Sequence, residues 1–162
     1  MAKTKINGME MFVTQLDRLT NDITKINRGA LGSAAGFAAD EMKAALRGLP
    51  VHDDDEYGTE QYKLYGATQS EKDQIIDNFG ISTFRTDGGT IQTSIGFTGY
   101  VETPSTKFND HVPTGMLMQA IEYGTSFRTG THTIGKIEKR LRDEATQKAQ
   151  DYIDQQVDNI MN

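Results

Sequence analysis

The segment Gly130-Thr131-His132-Thr133-Ile134-Gly135-Lys136-Ile137 has the spacing of a phosphate-binding loop as far as its lysine. Such a loop works because its glycines let backbone N–H groups curl around phosphate. The lysine then neutralises charge, and a Ser or Thr hydroxyl directly after it holds Mg²⁺. Here that hydroxyl position is Ile137, and Ser126, Arg128 and Thr129 stand where a hydrophobic strand should lead in. The segment therefore reads as the turn that starts a helix. The acidic run Asp53-Asp54-Asp55-Glu56 offers clustered carboxylate oxygens of the kind Ca²⁺ and Mg²⁺ prefer, but it lacks the glycine and the closing bidentate glutamate of a calcium loop. It reads as a solvated loop tip, or as a surface that meets a basic partner. His52, His111 and His132 each lack a second ligand three or four residues away, so the spacing makes no zinc site. No G-x-S-x-G elbow occurs, and the absence of cysteine removes thiol nucleophiles, thiolate metal sites and disulfides. Nothing in the order of the carboxylates sets two of them across a cleft for acid–base hydrolysis. No catalytic residue, no metal ligand set and no cofactor site is expected.

Tyr57, Tyr62 and Tyr65 are the first candidates for binding. A loop tyrosine presents a large apolar area with a polar tip and loses little entropy on docking, which suits a protein interface. The same three rings could equally fold back on the core.

These residues have to be positioned by a small set of elements. Met9, Phe12, Val13, Leu16, Leu19, Ile23 and Ile26 recur at gaps of three and four, the pattern of an amphipathic helix, with Asn7 as its cap. A second helical stretch presents Phe37, Met42, Ala45, Leu46 and Leu49 and stops at Pro50. Between the two lie Gly29, Gly32 and Gly36. A glycine inside a helix costs about 1 kcal/mol relative to alanine, so three of them need a reason. Either the chain breaks near Gly29, or one continuous or gently bent helix uses a small face to admit a close neighbour. The second arrangement is preferred.

Residues 50–68 read as an irregular excursion, and residues 69–78 as a short helix. Residues 81–86, then Asp87-Gly88-Gly89, then residues 90–97 describe a β-hairpin, because tight hairpin turns need the positive φ that Asp-Gly supplies. Ile91, Thr93, Ile95 and Phe97 share one face of the second strand and should pack on the helices. Residues 100–113 read as a polar loop, 116–123 as a short apolar segment and 124–130 as a turn. Ile134, Ile137, Leu141, Ala145, Ala149, Ile153, Val157 and Ile160 then mark a long C-terminal helix, about 134–161. The expected fold class is α+β in a single domain, 1–162, with N-terminal amphipathic helices, a small antiparallel β-sheet with a hairpin at 80–97, and the long C-terminal helix.

Composition narrows the functions. A net charge of -6 argues against a nucleic-acid-seeking molecule, which shows a basic stripe. Lys136, Lys139, Arg140 and Arg142 share their helix with Glu138, Asp143 and Glu144, as on a solvated face. The longest apolar run, Ala34 to Ala39, falls far short of the ~20 residues a bilayer takes. Met1-Ala2-Lys3-Thr4-Lys5 is not followed by an apolar core, so no secretory signal is expected, and the protein is expected to be soluble with no membrane partner.

One stretch gives a more specific pointer. Glu122-Tyr123-Gly124-Thr125-Ser126, after a hairpin and before a final helix, resembles the head–tail joining (tail-completion) family of long-tailed bacteriophages. The first helix ending in Met42-Lys43-Ala44-Ala45-Leu46 with Pro50 after it, and the hairpin at 80–97, match the order of elements in that family. Family members often follow Gly-Thr-Ser with a proline-containing Ala-x-Pro-Phe segment, whereas this chain continues Phe127-Arg128-Thr129-Gly130-Thr131-His132 without proline. The resemblance implies a structural virion protein of the neck, assembled in the bacterial host cytoplasm as a homo-oligomeric ring of six. It would sit between head-completion or connector proteins and tail-tube or tail-terminator proteins, with DNA passing through it unread. It also implies no catalysis. The interface residues expected are Tyr57, Tyr62, Tyr65, Glu122, Tyr123, Gly124, Thr125, Ser126 and Phe127. A tail-terminator ring or another tail-assembly protein is the nearest alternative, and a small metal- or nucleotide-using enzyme the more distant one.

Overall fold

A computed structural model describes residues 9–53, 56, 58–103, 105 and 107–161. Asn7, Asp54, Asp55 and Tyr57 lie outside the described residues. The chain folds as α+β, with a long helix at each end and short strands and helices between.

The first helix, α1 (Met9–Arg47), runs unbroken through 39 residues. The two N-terminal helical stretches read from the sequence are thus one helix, in the continuous arrangement preferred above. At one of its three mid-helix glycines a neighbouring ring packs where a side chain would stand. The ring of Tyr152 covers Gly29, so a Cβ there would overlap it, and Phe84 comes within van der Waals reach of Gly32. Nothing lies within 4 Å of the Cβ position at Gly36, so packing gives no reason for that glycine. The last helix, α4 (Thr133–Met161), returns antiparallel along α1. Gln15 donates to the Met161 carbonyl near one end, and Arg140 pairs with Glu41 at 2.9 Å near the other.

Between them the chain forms β1 (Leu64–Tyr65), α2 (Gln69–Asp77), β2 (Phe79–Ile81), β3 (Arg85–Asp87), β4 (Thr90–Gln92), β5 (Ile95–Phe97), β6 (Tyr100–Glu102), β7 (His111–Pro113), α3 (Thr114–Tyr123) and β8 (Arg128–Thr129). Helix α2 starts at a capping box. The Thr68 hydroxyl accepts from the Glu71 N–H, and the Glu71 carboxylate accepts from the Thr68 N–H at 3.0 Å.

The hairpin at 80–97 forms with Gly88 and Gly89 at its tip, both at positive φ. It is not one regular ladder. Between the Ile81–Ile95 and Arg85–Gln92 pairs, three residues (Ser82, Thr83, Phe84) stand opposite two (Thr93, Ser94), which is the count of a β-bulge. Ile91, Thr93, Ile95 and Phe97 still share one half-buried face. Ile95 and Phe97 pack on the core, while Ile91 lies between α1 and α4.

Three further features correct the expectation of one small antiparallel sheet. Among the described residues the strands pair as four separate two-stranded ladders. Residues 100–113 are a second hairpin rather than a loop alone, with Val101 facing Val112 and both buried. The excursion at 50–68 contains β1, which pairs in parallel with β8 from the turn at 124–130. The core sits at this end of the molecule, where Leu46, Leu49, Ile75, Phe79, Val101 and Ile121 are buried together.

Candidate functional site

The parallel β1–β8 pair brings together the two groups of residues singled out in the sequence. Leu64 N–H donates to the Phe127 carbonyl at 3.0 Å, so Tyr62 and Tyr65 sit on one side of the junction and residues 123–127 on the other. Tyr62 and Tyr65 are exposed. The Tyr62 hydroxyl donates to Glu56 at 3.2 Å, and that carboxylate raises the phenol above its ordinary pKa. Tyr123, at 71% exposure, and Phe127, at 54%, project into solvent.

Local geometry accounts for this presentation. Helix α3 ends at Gly124, whose φ of 83° reverses the chain. A side chain at Gly124 would collide with the backbone of Arg128 and Gly130, so the turn requires glycine here. Thr125 N–H then donates to the Arg128 carbonyl at 2.8 Å, and the Thr125 hydroxyl accepts from Phe127 N–H at 3.2 Å. The tight loop pushes Thr125, Ser126 and Phe127 outward. Beside it a cavity of about 470 Å³ is lined by Met116, Gln119, Ala120, Tyr123, Gly124 and Thr125.

Glu122 differs from its neighbours. It is 3% exposed, and its carboxylate accepts from Ile134 N–H at 3.0 Å and Gly135 N–H at 2.7 Å. The last turn of α3 thereby caps the first turn of α4, supplying negative charge to free N–H donors. That geometry bears directly on the phosphate-loop spacing. The donors a phosphate would need at residues 134 and 135 are already bound to this carboxylate. Lys136 turns back to the Thr131 carbonyl at 3.1 Å.

Beneath the loop lies a buried polar cluster that sequence reasoning missed. Glu71, 3% exposed, caps α2 and also accepts from the Thr103 hydroxyl at 2.6 Å. Arg128 approaches it at 3.7 Å and donates to the Gly66 carbonyl. Burial pulls the Arg128 guanidinium below its ordinary pKa, with Glu71 acting in the opposite sense. The signal available in the sequence was Thr68-x-x-Glu71, a capping-box pattern. Its arginine partner is far along the chain and carries no local signature.

A second exposed apolar surface lies at the opposite end of the molecule. Near its start α1 presents Met11, at 67% exposure, Phe12, Val13, Leu16 and Ile23, at 52%, to solvent. The sequence pattern marked all of these but Met11 as the apolar stripe of a helix, and all of them stay exposed among the described residues. The two surfaces lie at opposite ends of α4, whose 29 residues span roughly 42 Å at 1.5 Å per residue.

Among the described residues no group of three or more His, Asp or Glu side chains is placed to hold a metal ion, and no helix is long and apolar enough to cross a membrane. No protein-family model, curated protein or solved structure matches the chain.

Proposed function

We propose that this chain is a structural joining protein of the phage neck, acting as an oligomeric ring subunit between the head connector and the tail, with no catalytic role. The observation that carries the reading is the pair of uncovered apolar surfaces at the two ends of α4. A monomer surface scatters its apolar residues singly, whereas clustered exposure marks a contact surface. Surfaces about 40 Å apart suit two different neighbours better than one small partner. The exposed residues of the Glu122–Ser126 stretch, through which the chain resembles head–tail joining proteins, stand at one of these surfaces. A net charge of -6 suits a passage that must not grip DNA.

The test is a deletion of the gene in its phage. The expected result is complete heads and complete tails that fail to join, rescued by the wild-type chain and not by a Tyr123→Ser, Phe127→Ser double variant. Undiminished infectivity without the protein would overturn the assignment. Finding it at the end of the tail tube in unjoined tails would move it to the tail-terminator reading.

A further inference from the structure

The uncovered stripe of α1 has an order that suits one occupant. Val13, Leu16, Thr20 and Ile23 follow one another at steps of three, four and three, the a/d spacing of a coiled-coil seam, and Asn27 continues it. They lie on a different face from Gln15 and Gly29, which meet α4, and the seam ends where its next d residue, Ala30, is buried. On the same side, α4 presents Ile153 and Val157, both half-buried. Together the two helices form a trough. At its inner end is a cavity of about 400 Å³ lined by Asn27, Ala30, Leu31, Ile91, Ala149 and Ile153.

The length of α1 indicates what fills it. Because Gln15 already reaches the carbonyl of Met161, residues 9–14 run on past the described end of α4. Turned about a two-fold axis near Arg18, a second copy would bring residues 9–14 level with residues 27–22 of the first, beside Ile153 and Val157. The same axis sets Val13 opposite Ile23 and Leu16 opposite Thr20, an a residue against a d residue in each layer, as antiparallel helices pair. Phe12 flanks the seam on its α4 side, so it would reach toward the partner's α4.

We infer that the free protein is a homodimer in which the first two turns of α1 from each copy fill the α1–α4 trough of the other. The interface is isologous, since one surface serves both copies. The inference does not rest on the neck reading. A ring of single polarity in a virion would have to exchange this contact for another on assembly. One feature opposes the pairing: Asp17 of the two copies approach on the outer side of the seam. Added salt is therefore expected to tighten the dimer, because screening weakens repulsion between exposed charges.

The experiment uses the full chain, whose lack of native cysteine makes introduced thiols unambiguous. Val13→Cys and Ile23→Cys are made separately, oxidised alone, and oxidised as a mixture. Sedimentation equilibrium is run on the wild type and on Leu16→Glu, which places a charge where the lone chain is already exposed and so leaves the fold intact by circular dichroism. The expected results are a wild-type dimer, covalent dimer in the mixture well above either variant alone, and association weakened at least about tenfold by Leu16→Glu. Cross-linking of each variant with itself, through 13–13 and 23–23 pairs, would mean parallel helices and overturn the inference, as would a monomeric wild type. A larger oligomer that is indifferent to Leu16→Glu and yields no mixed cross-link would also overturn it, while leaving the ring reading intact.

Discussion

The ring of Tyr152 lies directly over Gly29, filling the space that any other residue's Cβ would take on that face of α1. Gly29→Ala gains helix propensity of about 1 kcal/mol but must displace an aromatic ring from the packed helix pair. A net loss of about 1–3 kcal/mol is expected from overpacking. Tyr152→Ala in the same chain should relieve the clash, so that urea denaturation gives a double variant losing less than the sum of the singles.

Removing the carboxylate that caps α4 should be costly because two N–H groups lose their acceptor together. Glu122→Ala is expected to destabilise the fold by about 2–3 kcal/mol. Glu122→Gln keeps one acceptor oxygen and should lose less. At this chain length each kcal/mol lowers Tm by about 2–4 °C, so differential scanning calorimetry resolves the two. A Tm for Glu122→Ala equal to wild type would mean that the cap contributes nothing.

Glu71 and Arg128 should behave asymmetrically. Glu71→Ala leaves a largely buried guanidinium without its counter-charge and removes the carboxylate half of the α2 capping box, for an expected loss of about 3–5 kcal/mol. Arg128→Met leaves Glu71 with its Thr103 and Thr68 partners, so its loss should be smaller. Chemical denaturation of the two variants gives the order, and a larger loss for Arg128→Met would contradict it.

The exposed aromatics should be nearly silent in stability. Tyr123→Ser and Phe127→Ser are expected to shift unfolding free energy by no more than about 0.5 kcal/mol, as for surface sites without special geometry. In an in vitro joining assay with purified heads and tails, the same variants should lose activity. Wild-type joining by both would remove this loop from the contact surface.

The elements most legible in the sequence were those with many periods to count. Ile134 through Ile160 gave α4 to within a residue of its start, and Asp87-Gly88-Gly89 gave the hairpin tip because only positive φ closes so short a turn. The second hairpin was missed because each of its strands has three residues and buries only one valine deeply, which leaves no alternation to read. The parallel β1–β8 pair joins residues 64 apart through two residues on each side, below any local signal. Glu122 was recognised in its motif, but its task was not. It caps a helix that begins eleven positions later, a distance that only the loop's reversal at Gly124 closes. The stripe at Phe12 to Ile23 was read correctly as one face of a helix, but periodicity does not say whether the covering surface belongs to the same chain.

The cap at Glu122 also has a mechanical consequence. The outward loop and the long return helix share one foundation: the carboxylate at the end of α3 fixes the first turn of α4, so the placement of Phe127 and the direction in which α4 sets out along α1 are tied together at Glu122.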